Sequence, residues 1–484
     1  MNIDLNSPLS WKRAYEAGDP GSAAELAMLN DLQGNILKGH GRHFTSNLFL
    51  KFDPSRAEEV NAFLAEMGGL VTTALHQLIQ TDLYKCGASS SSTFVAMMLS
   101  ASGYDAIGRQ DAMPQGEAFR AGMKRRELAD APVASWDAHF AGQVDAMILV
   151  AAESATGRSV ERDILSGRIA KTAGAVTLLN PQFSEEGYAI FNDDGNGIEH
   201  FGYVDGRSQP LALVEDIDAE RTMHGGITKW DPSIPLSQLL VKCPGGRLDV
   251  SFGSFFVFRK LEQNVRAFKQ REHDLAVSIE KKHGLPEGSL GDRLGATVVG
   301  RFENGTPALL SEGEITPIAK GPVGVKNDFD YARDPDGLKC PYAAHIRKTN
   351  PRDDVPGSKS HLMARRGIPY GTRTDLNDPA IGTKPTKDVG LLFMAYQSSI
   401  EDQFEFTQVA WSNNARFPRP LVIDGPPTGR DPLTGQTAGP SGQQWPVKWG
   451  RTLTDGSPDD DFSGFVTLKG GEYFFAPSIS FLKP

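Results

Sequence analysis

A single histidine set among cations is the densest chemical pattern in the chain: His345-Ile-Arg-Lys-Thr-Asn-Pro-Arg352, just after Cys340-Pro341. One histidine is the usual protein ligand of a haem iron, and neighbouring arginines suit the carboxylates of that cofactor. Taken alone, His345 also reads as a surface or hydrogen-bonded core histidine. As a ligand it would need an acid and a cation on the opposite side, and two segments offer them. In Gly202-Tyr-Val-Asp-Gly-Arg-Ser-Gln-Pro210, Asp205 sits between two glycines that permit a tight backbone path towards a cavity. The same letters also spell an Asp-Gly turn. Met363-Ala-Arg-Arg-Gly-Ile-Pro-Tyr370 offers paired arginines, or a solvated basic loop.

Other chemistries lack their residues. The chain has no HExxH, CxxC or GxSxG, and no CxxCH, so a haem here would not be held by thioether bonds. Asn192-Asp-Asp-Gly-Asn-Gly197 looks like the start of a calcium loop but lacks the spacing to a closing glutamate, and reads as an Asx-rich turn. His40, His43 and His361 are further histidines without a ligand-set spacing.

The elements that would position these residues alternate along the chain. Ser46 to Phe52 reads as a strand, and Pro54 to Met67 as a helix with Val60, Phe63, Leu64 and Met67 on one face. Thr93 to Leu99 and Ala146 to Ala151 are strand-length apolar runs. A second set follows: Ser254 to Phe258 as a strand, Gln263 to Arg271 as a helix, and Gly390 to Tyr396 as a strand. Ser398 and Glu401 have capping-box spacing ahead of a helix with Ile400, Phe404 and Trp411. Val466–Leu468 and Glu472–Phe475, split by Gly470-Gly471, predict a closing hairpin. This order favours α+β with antiparallel sheets over a doubly wound parallel sheet. The break between halves falls in a loop-like region from Val214 to Gly246, giving domains of 1–235 and 236–484. Asp328 to Lys339 and Pro420 to Gly464 are long polar loops, the second a surface loop or flap.

At 484 residues and 39% apolar, the chain can bury a large core. Its net charge of −10 argues against nucleic acid or an anionic membrane as partner. No apolar run approaches the ~20 residues that span a bilayer. The polar stretch Met1 to Asn30 does not read as a secretory signal, and the three scattered cysteines do not form a disulfide framework. The expectation is a cytoplasmic protein.

Taken together, the segments resemble the dye-decolorising peroxidases. Gly202-Tyr-Val-Asp-Gly206, the HIRKTNPR run, RRGIPYG and GLLFMAYQ occur in that family's order. Gln33-Gly-Asn-Ile-Leu-Lys-Gly-His-Gly-Arg42 and Gly470-Gly-Glu-Tyr-Phe-Phe-Ala-Pro477 are also similar to it. Length and loops look like the larger, fungal-like members. The resemblance implies two ferredoxin-like domains holding a b-type haem between them. It makes His345 the proximal iron ligand, Asp205 the distal aspartate and Arg365, the first of its pair, the distal arginine. Arg352 matches a propionate-binding position, and Leu391 and Phe393 match an apolar pair lining the distal cavity. Trp411 matches a tryptophan that relays electrons from the surface in some members, and reads equally as core packing at a helix end; Tyr370 and Tyr396 are weaker candidates.

Peroxide cleavage needs a group that takes a proton from one oxygen and returns it to the other. Asp205 is expected to do this, with Arg365 stabilising the charge on the departing oxygen. A carboxylate with the reference pKa of ~3.9 implies an acidic optimum unless burial raises it. Anthraquinone dyes and large phenolics would be too bulky for a cavity lined by Leu391 and Phe393. Glu405, Asp402 or a backbone carbonyl is expected to accept a hydrogen bond from the proximal imidazole. The expected partners are hydrogen peroxide and aromatic reducing substrates. The competing reading is a porphyrin- or iron-handling protein with incidental peroxidase activity. A haem-free α+β protein is a third.

Overall fold

The computed structural model describes residues 3–16, 22–88, 92–179, 185–223, 226–316, 325–376, 378–419 and 425–483. The first half begins with strand β1 (Phe44–Phe52), helix α1 (Ala57–Gly68), β2 (Phe94–Leu99), β3 (Ala146–Ala152), α2 (Ala155–Lys171) and β4 (Glu185–Tyr188). The second half repeats the theme with β5 (Phe252–Gln263), α3 (Val265–His283), α4 (His345–Thr349), β6 (Ile368–Tyr370), β7 (Gly390–Gln397) and β8 (Val466–Ala476). Every pairing among these strands is antiparallel. The α+β class expected from the sequence is what the chain adopts.

The first sheet runs β4-β1-β3-β2 and the second β6-β7-β5-β8. Two seams join them, each a single residue pair: Tyr370 with Gly187, and Phe475 with Leu99. The eight strands thereby close into a ring. Side chains alternate across a strand, so each residue faces either the ring's interior or its outside. The interior is aromatic: Phe49 of β1 meets Phe258 of β5 edge-on at 4.9 Å and lies 6.4 Å from Phe474 of β8. Helix α1 lays Val60, Phe63, Leu64 and Met67 against this core, as its spacing predicted.

Five local expectations are corrected. Helix α3 runs well past Arg271, because Phe268, Leu275 and Ile279 extend its buried stripe until Gly284 ends it in the left-handed region at φ 63°. The closing hairpin is instead the one strand β8, with a bulge between Leu468 and Gly470. There the glycines allow close approach rather than a turn: a Cβ on Gly470 would lie 2.2 Å from the Phe140 ring. The cap after β7 is Ser399, whose Oγ accepts from Asp402 N–H at 3.1 Å. Ser398 is still held by the strand end, its N–H bonding Gln238 O. The segments that follow, Ile400–Glu405 and Thr407–Ser412, wind as π-helix rather than α-helix. Finally, the region from Val214 to Gly246 is not all loop, since Val214–Met223 is helical; 224–225 lie outside the described residues.

The seam at Gly187 is tight. A Cβ there would lie 2.4 Å from Ile368 Cγ2 and 2.6 Å from Thr45 Oγ1. Gly187→Val should therefore destabilise the protein by ~1–3 kcal/mol through overpacking. An unchanged urea midpoint would contradict the seam as drawn.

Candidate functional site

The outer face of the second sheet forms one wall of a cavity of about 300 Å³. Arg259, Leu261 and Gln263 of β5 line it at alternate positions, as do Leu391 and Phe393 of β7. The register sets Leu391 opposite Leu261 and Phe393 opposite Arg259. Among the described residues before 235, only the Glu199–Pro210 stretch contributes to the lining.

His345, Asp205, Arg365, Arg352, Leu391 and Phe393 all meet in this cavity. His345 opens α4, where Thr349 Oγ1 donates to its carbonyl at 2.8 Å. Its Nδ1 lies 2.8 Å from Asp431 Oδ2. An ionised carboxylate only accepts, so Nδ1 carries the proton and Nε2 is left for a metal. Burial pulls the His345 imidazole down, but the charge and hydrogen bond of Asp431 outweigh it and leave it raised. Burial pushes Asp431 up, and His345 with the backbone N–H groups of Thr434 and Leu433 more than offsets this, holding it low.

Asp431 replaces the two acids expected beside the imidazole. Glu405 is taken by Arg126, at 2.9 and 2.7 Å, and by Tyr473 Oη at 2.9 Å. Asp402 accepts from Ser399 Oγ. Asp431 belongs to the segment from Pro420 to Gly464, expected to be a surface flap. Residues 420–424 lie outside the described residues, but beyond them Asp431, Trp445 and Phe462 are fully buried. Trp445, Val447 and Phe462 pack with Phe201 and Phe268 into a second apolar cluster, which anchors the segment.

Arg365, which lines the same cavity, occupies the short strand Ala364–Arg365 paired with β7. Its Nη2 donates to Arg207 O at 2.9 Å, and its N–H to Gln209 Oε1 at 3.0 Å. Both partners lie on the stretch that carries Asp205, so acid and cation are tied together. Arg366 turns away to Asn35 O and Ile36 O. A second cavity of about 220 Å³ shares Asp205, Gly206 and Gly367 with the first, placing Asp205 at the junction. Glu199 was not singled out in the sequence. It faces the main cavity, accepts from Gln263 Nε2 at 2.6 Å, and is raised to about 7 by burial, with a contribution from the charge of Asp205.

Cations crowd one side of the cavity. Arg352 donates to Asn327 O and Oδ1, each at 2.8 Å, and to Ser208 Oγ at 3.0 Å, with its guanidinium 3.7 Å from the Phe329 ring centre. Arg301 Nη1 donates to Gly305 O and Lys326 O. Arg207 pairs with Glu220. Burial lowers Arg352 to about 10. Burial, then the charges of Arg352 and Arg207, lowers Arg301 to about 9. Charge buried without matching counter-charge is costly, so this wall favours a dianionic ligand. An imidazole with Nδ1 already engaged, a basic wall and apolar Leu391 and Phe393 together fit a haem with two propionates. Arg207 had a sequence signal, directly after Gly206; Arg301 and Asp431 had none.

Trp411 is not at the surface. It is 2% exposed, stacked on Phe417 and edge-on to Phe406 and His361. Phe406, 37% exposed, stacks on His361, which lines the cavity. Tyr370 and Tyr396 are buried as well. In Asn192–Asn196, the Asn192 side chain accepts from Asn196 N–H within a short hairpin turn.

Residues 297–416 match the family model described as Dyp-type peroxidase, C-terminal. The Multifunctional dye peroxidase DyP2 of Amycolatopsis is 44% identical over 496 residues, covering 100% of both chains. Dye-decolorizing peroxidase msp1 of Mycetinis scorodonius is 30% identical over 100% of this chain and 92% of its own. The solved structure of DyP2 from Amycolatopsis superimposes with a TM-score of 0.89 at 41% identity, over 99% of this chain and 100% of that one.

Asp431→Asn keeps the shape but removes the charge that orients His345. It should weaken haem affinity by ~10–100-fold, the usual cost of losing a partner behind a metal ligand. Asp402→Asn should leave affinity unchanged. Haem titration of both variants checks this, and equal affinities would contradict the pairing.

Proposed function

The chain belongs to the dye-decolorising peroxidase family, and on that premise we propose how its residues use hydrogen peroxide to oxidise dyes, phenolics and other one-electron donors. A b-type haem, when bound, would supply the redox chemistry that reduces peroxide and takes single electrons from donors. His345 Nε2 would hold the iron, with Asp431 fixing its tautomer and strengthening it as a donor. Arg352, Arg301 and Arg207 would hold the propionates. Asp205 takes the proton from one peroxide oxygen and returns it to the other. Arg365, docked on the Arg207–Gln209 backbone, stabilises the charge on the departing oxygen.

The single observation that carries this reading is the convergence of Asp205 and Arg365 with His345 on one cavity. A haem carrier has use for the histidine and the basic wall but none for an acid and a cation facing them. Leu391 and Phe393 narrow the cavity against bulky dyes. For those, Trp411 is an interior relay, with Phe406 and His361 between it and the surface. We further propose domains of 1–235 and 236–484. The three unpaired cysteines support a reducing, cytoplasmic setting.

With haem content matched to wild type, Arg365→Leu should cut kcat/KM for peroxide by ~10²–10³-fold, as losing one preorganised charge-stabilising group does. Asp205→Asn should cut it by ~10²–10⁴-fold, the typical contribution of a positioned acid–base group. Peroxide turnover that survives both changes would favour the carrier instead. Trp411→Phe should depress oxidation of an anthraquinone dye while sparing a small phenol. Equal loss on both substrates would discard the relay.

A further inference from the structure

Lys348 lies one turn after His345 in α4 and is fully buried. Its Nζ donates to three backbone carbonyls: Asn414 at 2.9 Å, Phe417 at 2.5 Å and Gly429 at 2.6 Å. These belong to two stretches that lie side by side. Thr428 N–H and Gly429 N–H both bond Ala415 O, and Asp431 N–H bonds Ser412 O at 3.0 Å. One ammonium thus joins the helix of His345, the segment after Trp411, and the strand of loop that ends in Asp431. The junction is closely fitted: Gly429 has φ +101°, and a Cβ on it would lie 2.4 Å from Gln443 Cγ.

Burial pulls Lys348 down to about 7, opposed by the charge of Asp431. All three donors of the ammonium are used on carbonyls, which is what keeps the buried charge tolerable. A side chain that only filled space here could be apolar. Three carbonyls aimed at one cation fix the loop in both direction and distance.

We propose that Lys348 is a positioning residue: it registers the Asp431 loop against the His345 helix and so sets the strength of the Asp431–His345 hydrogen bond. That hydrogen bond governs how strongly the imidazole donates to iron, and hence the reduction potential. This rests on the assignment of His345 as the iron ligand.

The test uses the holoenzyme and two readouts, the ferrous iron–imidazole stretching frequency and the reduction potential, with thermal melting alongside. Lys348→Met keeps length and removes charge and donors. It should lower the stretch and raise the potential, in the direction of Asp431→Asn and by at least half as much. In an Asp431→Asn background it should add no further shift. Lower melting with both readouts at wild-type values would overturn the proposal, reducing Lys348 to a structural tie. Should Lys348→Met fail to fold, Lys348→Gln retains two amide donors; intermediate readouts support the proposal, and wild-type readouts overturn it. A wild type that lacks a histidine-ligated iron spectrum would overturn the ligand assignment itself, and this inference with it.

Discussion

The 2.8 Å contact between His345 Nδ1 and Asp431 Oδ2 joins residues 86 apart in sequence, and the geometry of the cavity follows from it. Once Nδ1 is committed, the imidazole can offer a metal only Nε2, in one orientation. Holding the acid in place requires the loop from 425 onward to be anchored. Trp445, Val447 and Phe462 do this in the second apolar cluster, while Lys348 ties the loop back to the histidine's own helix. Asp431 in turn takes two backbone N–H groups on Oδ1, at 2.8 Å each. Those bonds favour its charged form despite complete burial.

Charge is distributed unevenly between the molecule and its site. The chain carries a net −10, yet Arg207, Arg259, Arg301, Arg352 and Arg365 line one cavity; Glu220 and Asp130 pair with Arg207 and Arg259, while Arg301, Arg352 and Arg365 donate to neutral oxygens. Such an arrangement is unfavourable without an anionic occupant, which is why the site reads as built for a ligand with two carboxylates. The ring of eight strands makes the arrangement possible. Its interior is filled by phenylalanines, leaving the outer face of β5 and β7 to carry arginine, glutamine, leucine and phenylalanine into the cavity.

Much of the site was legible in the sequence, because its chemistry sits in short local runs. His345, Asp205 and the arginine pair stand in runs whose neighbours mark them out, whereas the propionate role of Arg352 and the choice of Leu391 and Phe393 came only through the family resemblance. Arg365 and Arg366 were distinguishable only by family position; the structure separates them by sending Arg366 to Asn35 O and Ile36 O. Asp431 was invisible, since it sits in a polar loop with no periodicity and acts through a contact made only by tertiary packing. Glu405 and Asp402 were the acids expected there, but Arg126 and Tyr473 hold the first and Ser399 Oγ donates to the second. Trp411 and the Gly470-Gly471 pair failed for a related reason. Exposure and close approach depend on what lies opposite, and for these it was Phe406 and Phe140.

The central claim is the bond from His345 to iron, and the absorption spectrum of the purified, haem-loaded protein tests it most directly. Wild type should show a Soret band and the features of a histidine-ligated iron that change on adding one equivalent of peroxide. His345→Ala, folded by circular dichroism, should lose those features and recover them on adding free imidazole. An alanine variant with an unchanged histidine-ligated spectrum would contradict the account.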